Sequence, residues 1–492
     1  MSDDRDREDA RELATLGYRQ ELLRRLGGFS SFAIGFSVIS VLTGVTSTFG
    51  DALGAGGPVG LGLGWPLVSV CTLVVALAMA ELASAFPTAG ALYHWAALLG
   101  GARVGWTTAM LNLVGQLGIV AAIDLACAQA MAQSFDRPAL VYPLFGALLA
   151  AHGALNATSV RLVAWLNDAS AAVHIAGVVG LAGLLLTRGR LHGIGYLAHA
   201  GASASHGARG FVGSLVLGVW TFTGFDAPAH VSEETHRPQQ KAPIGIVSSV
   251  AVSAVVGYVF VASLVLAVPE GSTAAGAPDA ALQVLRGALG ERAGRFALGL
   301  AIVAMWFAGL SSVTSASRML FAFARDGGLP WSRTLRAVHP RTRTPLHATV
   351  ACVLAPLALV AFTASISETV FLAVAALATL ALYGSYALPI LFGAVARMQV
   401  RWTRPGPWNL GRAGVAVAWA AVGWSLFVFV VCGLANALSV RLFAGLLVGL
   451  AALWFLVVRR TFVGPSVDLA HFEYAVGRDS AVSSSARPVR EA

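Results

Sequence analysis

The feature that most constrains this chain is a series of apolar stretches, each about 20 residues or longer, separated by short polar connections. A helix of that length crosses the hydrocarbon core of a bilayer, where only helices and closed barrels satisfy their own backbone hydrogen bonds. We therefore predict an all-α integral membrane protein. Twelve spans, numbered in chain order, are placed near residues 30–53, 63–86, 104–133, 138–157, 162–187, 211–232, 243–268, 295–323, 346–363, 368–396, 414–436 and 439–458.

Composition and charge support this class. Of the 492 residues, 57% are hydrophobic and 12% are charged, whereas soluble proteins carry about 25% charged residues. The net charge of +9 comes almost entirely from arginines in the connections, a distribution typical of topology signals, so we expect no nucleic-acid partner. With both termini in the cytoplasm, most of these arginines lie on the cytoplasmic side, as expected for a multi-pass plasma-membrane protein in a lipid bilayer. The sequence carries no signal for an oligomeric state.

Motifs for catalysis and for metal binding are missing from the sequence. It contains no HExxH, no GxSxG and no nucleotide-binding loop, so we predict neither an enzyme nor an ATP-driven pump. The four cysteines all fall inside apolar stretches, as small buried residues do. His192, His199 and His206 recur at intervals of seven residues, which we attribute to an exposed connection rather than to a metal site. We expect no metal ion and no other cofactor.

Two of the spans contain residues that do not suit a helix in hydrocarbon. The centre of span 1 reads SVLTGVT (residues 40–46), and span 6 contains TFTGFDAP (residues 221–228). Gly and Pro disfavour a helix interior, and the carboxylate of Asp226 costs about 3 kcal/mol at the bilayer centre. We predict that both helices are interrupted here, with a pair of simple packing kinks as the alternative.

The two interruptions lie five spans apart. A repeat of five spans inverts its orientation, so spans 1–5 and 6–10 form two inverted repeats, as in many secondary transporters. An interruption survives in a membrane where it lines a cavity, and its free N–H and C=O groups can bind a carboxylate and an ammonium. We divide the chain into a cytoplasmic N-terminal tail (1–28), the first repeat (29–187), an extracellular loop (188–210), the second repeat (211–396), two further helices (397–460) and a cytoplasmic C-terminal tail (461–492).

Five segments resemble the amino acid–polyamine–organocation transporters, and in particular their amino acid/choline branch, which includes GABA and choline permeases. The resemblance runs from residue 13 to residue 460 and implies a LeuT-like fold, with ten spans in two inverted repeats plus two more, and alternating access for amino acids or amines. The segments are LATLGYRQELLRRLGGFSSFAIGFSVISVLTG (13–44), ELASAFPTAGALYHWAALLGG (81–101), LNDASAAVHIAG (166–177), WTFTGFDAPAHVSEETHRPQQKAPIGI (220–246) and LSSVTSASRMLFAFARDGGLPWSRTLRAVHP (310–340).

The resemblance also implies where the substrate binds. Thr43 and Gly44 match the interruption of span 1 that receives the substrate carboxylate, and Trp220 matches an aromatic gate of span 6. The family's common Gly-Ser-Gly pattern is replaced here by Leu42-Thr43-Gly44, so we expect a bulkier turn with a different preference for substrate size. The complete predicted substrate-binding set is Ser40, Thr43, Gly44, Trp220, Thr221, Phe222, Thr223, Gly224 and Asp226.

The candidates for ion coupling lie in spans 5 and 8. His174 falls where some proton-coupled relatives carry a lysine, and histidine titrates near neutral pH. Ser311 and Ser312 in span 8 could instead bind sodium, because oxygen ligands suit hard cations. Small hydroxyls also serve close helix packing. The two ions compete for one position, and we favour the proton and His174.

Three further residues are predicted to gate access. Asp124 lies in the outer half of span 3, with Asn112 and Gln116 further inward, and water entering from outside is the alternative reason for its charge. Glu81, near the inner end of span 2, is assigned to a cytoplasmic gate with nearby arginines. Tyr383 in span 10 is assigned to the outer side of the site, with simple packing as the alternative. Glu233 and Glu234 are expected to end span 6 in water.

The predicted function is secondary active transport of an amino acid or a related amine such as GABA, taken up with protons. Sodium-coupled or exchange transport of choline or a polyamine is the alternative, together with a channel or a non-transporting sensor built on the same scaffold. A small-molecule amino acid or amine is the expected binding partner. The resemblance does not select one substrate.

Overall fold

The computed structural model describes residues 9–11, 13–200, 207–269, 272–367, 369–403, 405–435 and 437–465. Most of these residues are helical, and a β-bridge pairs Leu26 with Thr235. The helices run over Gly28–Ile39 (α1), Val41–Gly62 (α2), Gly64–Ala85 (α3), Ala91–Gly100 (α4), Ala102–Ser134 (α5), Val141–Thr158 (α6), Val160–Arg188 (α7), Gly207–Ser214 (α8), Val216–Thr221 (α9), Ala227–His230 (α10), Pro238–Leu266 (α11), Ala280–Leu289 (α12), Glu291–Arg325 (α13), Ser332–Leu335 (α14), Leu346–Ala364 (α15), Val370–Met398 (α16), Gly414–Ala435 (α17) and Ala437–Leu456 (α18).

Eleven segments of the described chain are helical, long and apolar enough to cross a membrane. They coincide with predicted spans 1–5 and 7–12, and most of their ends differ from the prediction by a few residues. Span 1 is the exception, because its helix continues to Gly62 rather than ending at residue 53. The Gly57–Pro58 pair produces a kink beyond the predicted end, with φ 65° at Gly57, and the helix resumes after it. The all-α membrane fold is confirmed.

Predicted span 6 does not form one helix. It is divided into the short helices α8, α9 and α10, each far shorter than a bilayer span. Residues 222–226 form the turn between α9 and α10, where Gly224 has a φ of 83° and Pro228 follows. The predicted count of twelve transmembrane helices is therefore not confirmed, because the predicted interruption divides this span into helices too short to cross a membrane.

The interrupted spans lie in the centre of the bundle. Helices α13 and α16, which form spans 8 and 10, both pack along α5 of span 3, and α9 of span 6 packs against α2 of span 1. Span 12 lies at the edge, and few of its residues are buried. The turns of spans 1 and 6 are thus surrounded by protein, where irregular backbone is tolerated at membrane depth.

The segment before span 1 packs against one end of the bundle, which we call the N-terminal end. The backbone amides of Arg25 and Leu26 both donate to the carbonyl of Glu234 over 2.8 Å. The guanidinium of Arg24 donates to the carbonyl of Thr235 over 2.6 Å. The first described residues therefore cover the chain that follows span 6. Residues 1–8 of the predicted N-terminal tail, and residues 466–492 of the C-terminal tail, lie outside the described part.

Candidate functional site

Span 1 leaves helical geometry at Ser40. This residue has φ 37° and ψ 81°, ends α1 and begins α2. Its Oγ accepts from the Thr43 amide over 3.4 Å, and its carbonyl accepts from the Gly44 amide over 3.0 Å. The predicted interruption is present, but it lies three residues before Thr43, because a serine can cap the helix that begins after it.

The new helix start leaves amide groups available. The first amides of a helix have no partner within it, and no hydrogen bond joins the N–H groups of Val41 and Leu42 to another described residue. The amides of Thr43 and Gly44, by contrast, are already bonded to Ser40. A carboxylate at this interruption would therefore meet the amides of Val41 and Leu42, and not those of the two residues assigned by resemblance.

The turn in span 6 spans residues 222–226. The positive φ of Gly224 suits glycine, and a Cβ at this position would overlap Val38 of span 1. The Gly224 amide donates to the Tyr386 hydroxyl over 3.2 Å. Thr221 and Thr223 each donate their hydroxyl to a carbonyl of their own segment, at 2.6 and 2.7 Å. The second interruption is present at the predicted residues.

The two interruptions contact each other. Gly44 packs so tightly on Thr221 that a Cβ on Gly44 would overlap the threonine side chain. Val38 and Gly224 meet in the same way, and Ile119 of span 3 lies beside Gly224. The irregular backbone of both spans, with the amides of Val41 and Leu42, therefore lies at one place in the centre of the bundle.

Asp226 is fully buried and accepts hydrogen bonds from four side chains. Tyr386 of span 10 donates to Oδ1 over 2.8 Å. Asn112 and Gln116 of span 3 donate to Oδ2 over 3.0 and 3.1 Å, and Nε2 of His230 lies 3.1 Å from the same atom. Asp226 directly precedes α10 but does not cap it, because its side chain makes no capping hydrogen bond.

This cluster was only partly visible in the sequence. Asn112 and Gln116 had been grouped with Asp124, and His230 was overlooked although it follows Asp226 by four residues, one helical turn. The amide oxygens of Asn112 and Gln116 are buried without a hydrogen-bond donor among the described residues. Buried acceptors of this kind are costly unless a donor reaches them, so they suit the N–H groups of a bound amine.

His174 contacts the interruption of span 1. Its Nε2 lies 2.8 Å from Ser40 Oγ, and its Nδ1 lies 2.9 Å from the carbonyl oxygen of Ser170. A carbonyl only accepts, so Nδ1 carries a hydrogen. Ser40 Oγ also lies 2.6 Å from the hydroxyl of Thr43. The predicted coupling residue is therefore joined to the candidate substrate site through a single hydroxyl.

The span 8 hydroxyls are engaged within the helix bundle. Ser311 donates to the carbonyl of Phe307 over 2.9 Å and contacts Asn167 Oδ1, and Ser312 donates to the carbonyl of Ala308 over 2.8 Å. Ser315 Oγ is buried without a partner among the described residues. Among those residues there is also no group of three or more His, Cys, Asp or Glu side chains that could hold a metal ion. His206 lies outside the described part.

The aromatic candidates lie around this centre. The Trp220 ring meets Phe371 edge-on, with centroids 5.9 Å apart. Phe371 also lines a cavity of about 600 Å³ that opens at the end opposite the N-terminal end and contains Thr46 and Asp51. Trp220 and Phe371 thus stand between this cavity and the interruptions. Phe222 points elsewhere and packs on Trp65 of span 2, at 5.1 Å.

Tyr383 and Asp124 are both completely buried. The Tyr383 ring lies 5.5 Å from that of Tyr386, near the middle of span 10. Water from outside does not reach Asp124, so the alternative explanation of its charge is not supported. Instead its Oδ2 lies 3.1 Å from Nδ1 of His152 in span 4, whose imidazole is also fully buried. His152 was not predicted from the sequence, because it lies alone in an apolar span.

The N-terminal end of the bundle is closed by ion pairs. Both guanidinium nitrogens of Arg325 donate to Glu233, at 2.8 and 3.0 Å, and Arg318 donates to Glu234 over 3.0 Å. The expectation that these two glutamates end span 6 in water is wrong, because both are buried. The chain folds back over them, and the two arginines of span 8 balance their charge.

Two further contacts seal the same end. Glu81 pairs with Arg397 at the end of span 10, over 2.7 Å. The hydroxyls of Tyr18 and Tyr93 both donate to Asp326, at 2.7 and 2.8 Å. Burial raises the pKa of the Asp326 carboxyl above its usual value, although Arg325 opposes this. The N-terminal end is thus closed by buried polar contacts, whereas the cavity lined by Phe371 lies at the opposite end.

The comparisons with known proteins agree over nearly the whole chain. The profile of the family described as "Amino acid permease" matches residues 26–458. The chain is 34% identical to the rice "Amino-acid permease BAT1 homolog", over 93% of this chain and 95% of that protein. It is 33% identical to Arabidopsis thaliana "Amino-acid permease BAT1", over 92% and 95% of the two chains. It is 27% identical to the "GABA-specific permease" of Saccharomyces cerevisiae, over 86% and 78%.

Proposed function

This chain belongs to the amino acid permease family of the amino acid–polyamine–organocation superfamily, and we propose from that premise that it takes up an amino acid or a related amine such as GABA together with protons, by alternating access. Members of the family are membrane transporters of amino acids and not enzymes. The name of the yeast relative, a GABA-specific permease, supports GABA as one substrate to test.

The observation that carries the proposal is the contact between the two helix interruptions. The free amides of Val41 and Leu42 suit a substrate carboxylate at the positive start of α2. The unpartnered oxygens of Asn112 and Gln116, next to Asp226, suit the substrate ammonium. An amino acid carries both groups, so one molecule could satisfy both sets.

The hydrogen bonds of His174 suggest how a proton favours substrate binding. When His174 is neutral, its Nε2 accepts from Ser40, and Ser40 in turn accepts from the Thr43 hydroxyl. When Nε2 is protonated it must donate, so Ser40 turns its hydrogen towards Thr43. The hydrogen of the Thr43 hydroxyl is then free to donate to a substrate carboxylate. Proton and substrate therefore bind better together than separately.

In this proposal the closed end faces the cytoplasm and the open end faces outwards. We place both termini and the N-terminal end in the cytoplasm of a cell whose plasma membrane holds the protein. The cavity bordered by Phe371 then faces outwards, with Trp220 as the gate beneath it. Residues 29–187 and 211–396 act as the two inverted repeats. Their relative movement closes one end of the bundle and opens the other.

Transport into liposomes tests this function. Purified protein would be offered radiolabelled GABA, neutral and cationic amino acids, choline and putrescine, first with a pH gradient alone and then with a sodium gradient alone. We expect saturable uptake of an amino acid or amine driven by the pH gradient. Uptake driven by sodium alone would indicate that the coupling site consists of the hydroxyls of Ser311, Ser312 and Ser315 and not of His174. Exchange without net uptake would make the protein an exchanger.

A further inference from the structure

His230 has an unusual pair of hydrogen-bond partners. Its Nε2 lies 3.1 Å from the carboxylate of Asp226, and its Nδ1 lies 3.2 Å from the carbonyl oxygen of Ala89. Both partners are acceptors, and the side chain is completely buried. A neutral imidazole has one donor and one acceptor nitrogen, so it would point a lone pair at one of these oxygens. An imidazolium donates to both.

The other contacts of Asp226 locate the proton on the imidazole. The Tyr386 hydroxyl accepts from the Gly224 amide, so it donates its own hydrogen to Asp226 Oδ1. The amide groups of Asn112 and Gln116 donate to Oδ2. Three donors besides His230 favour the ionised carboxylate. The arrangement is thus a buried Asp226 carboxylate whose charge is balanced by a protonated His230.

Ala89 connects this pair to the closed N-terminal end. Its carbonyl accepts from His230, and its amide donates to Glu233 Oε1 over 3.0 Å. Glu233 is held in turn by Arg325 of span 8. One residue of the connection between spans 2 and 3 therefore joins the turn of span 6 to the ion pair that seals this end.

The charged groups around His230 are Asp226 and Glu233 of its own segment and, through Glu233, Arg325 of span 8. Span 10 contributes Tyr386 through Asp226. Helix α1, which packs on α10, has no titratable side chain. Helices α11 and α13 also pack on α10; α11 carries Lys241 and Tyr258, and α13 carries Arg318, which is paired with Glu234, besides Arg325. The backbone of Ala89 therefore lies between His230 and the Glu233 carboxylate at the N-terminal end.

We propose that the Asp226–His230 pair is a proton-binding site whose proton is held while the N-terminal end is closed and is released there when that end opens. Opening moves Ala89 away from His230 and admits water, so the imidazolium loses an acceptor and can pass its N–H proton to solvent. The neutral imidazole is left beside Asp226, and no other bond changes. The assignment of this proton to the transport cycle rests on the proposed function, whereas the protonated state itself does not.

The protonation state can be measured without any substrate. The full chain, labelled with ¹⁵N-histidine, would be studied by NMR in lipid nanodiscs, and H230Q would identify the resonance of His230. If H230Q does not fold, H174Q, H152Q and H94Q identify the other buried histidines by elimination. We expect both ring nitrogens of His230 to bear a hydrogen in the wild type at neutral pH, and the fraction of imidazolium to be smaller in E233Q, which lacks the carboxylate that holds Ala89. A neutral His230 in the wild type, or the same fraction of imidazolium in E233Q, would overturn the proposal.

Transport then separates this site from the proposed function. In H230Q we expect exchange of labelled for unlabelled substrate to continue, with about one proton fewer moved per substrate and with accumulation reduced accordingly. H192Q, at a half-buried histidine of the loop after span 5, is the matched control and should keep the wild-type ratio of protons to substrate. An unchanged ratio of protons to substrate in H230Q would show that the Asp226–His230 pair takes no part in the transport cycle. If the wild type transports none of the tested amino acids, the proposed function fails, and the NMR result still decides the site.

Discussion

Nε2 of His174 lies 2.8 Å from Oγ of Ser40, the residue at which span 1 leaves helical geometry. The two residues are 134 positions apart in the chain, and both are completely buried. A titratable group on span 5 therefore contacts the backbone turn where a substrate carboxylate is expected. The predictions below follow from this contact and from the other buried polar contacts of the bundle.

The first prediction concerns His174. A gradient of one pH unit supports at most about tenfold accumulation for each proton carried, equivalent to about 1.4 kcal/mol. We expect H174Q to lose the accumulation that depends on this proton but to retain exchange, which needs no gradient. Uptake into liposomes with and without a pH gradient measures both. H192Q, at a histidine of the loop after span 5, serves as the control; accumulation by H174Q at the wild-type level would contradict the assignment.

The second prediction concerns the contact of Gly44 with Thr221. The methyl group of G44A would overlap the threonine side chain, so we expect a severe loss of transport. G44A/T221A removes the hydroxyl and methyl groups of Thr221 and leaves its Cβ, 2.7 Å from the added methyl, so it should restore part of the activity. G423A is the matched control, because a Cβ at Gly423 in span 11 would meet open space. Equal transport by G44A and G423A would show that the two interruptions are not in tight contact.

The third prediction concerns the acceptor role of Asp226. An asparagine cannot accept from all four donors, and removing one partner of a buried charged pair costs about 3–5 kcal/mol. Y386F removes the hydroxyl that donates to Asp226 and accepts from the Gly224 amide, and the bond to the charged Asp226 alone is worth about 1.5–3 kcal/mol. We therefore expect unfolding temperatures to fall in the order wild type, Y386F, D226N. Y258F, at a partly buried tyrosine of span 7, controls for the loss of a hydroxyl. Wild-type stability of D226N would contradict the observed cluster.

The fourth prediction concerns Asp124 and His152. D124N leaves the buried imidazole of His152 without its carboxylate partner. H152N leaves the buried carboxylate of Asp124 without its imidazole partner. Removing both charges in D124N/H152N should be less damaging than the sum of the two single changes, because no uncompensated charge is left. Thermal unfolding of the four proteins in detergent measures the coupling. Strictly additive losses would show that the two side chains do not interact.

The fifth prediction concerns pH and the N-terminal end. Burial raises the pKa of Asp326 in the folded protein, so its contribution to stability is present at low pH and is lost as pH rises through that raised value. We expect residues 13–27 to be better protected from hydrogen exchange at about pH 5 than at about pH 7, after correction for intrinsic rates. D326N should remove the difference. Greater protection at the higher pH would reverse the sign and contradict the prediction.

Much of the fold could be predicted from local sequence. Hydrophobicity summed over about 20 residues locates a span whatever its neighbours are, and eleven of the predicted spans are long apolar helical segments in the described chain. Gly224 and Pro228 similarly marked the turn of span 6, because their backbone preferences are local. The turn of span 1 was predicted in the correct region, but its position at Ser40 depends on a serine cap and on the contact with His174.

The sequence by itself determined that this chain is a helical membrane protein of the amino acid permease family, with polar interruptions in spans 1 and 6. Only the tertiary structure decided which side chains meet there. His230 reaches Ala89 across 141 positions, and Tyr386 reaches Asp226 across 160. A shift of one residue turns a helix face by about 100°, so such contacts depend on the rotation and depth of each helix. Those are set by packing between helices, which no single segment encodes.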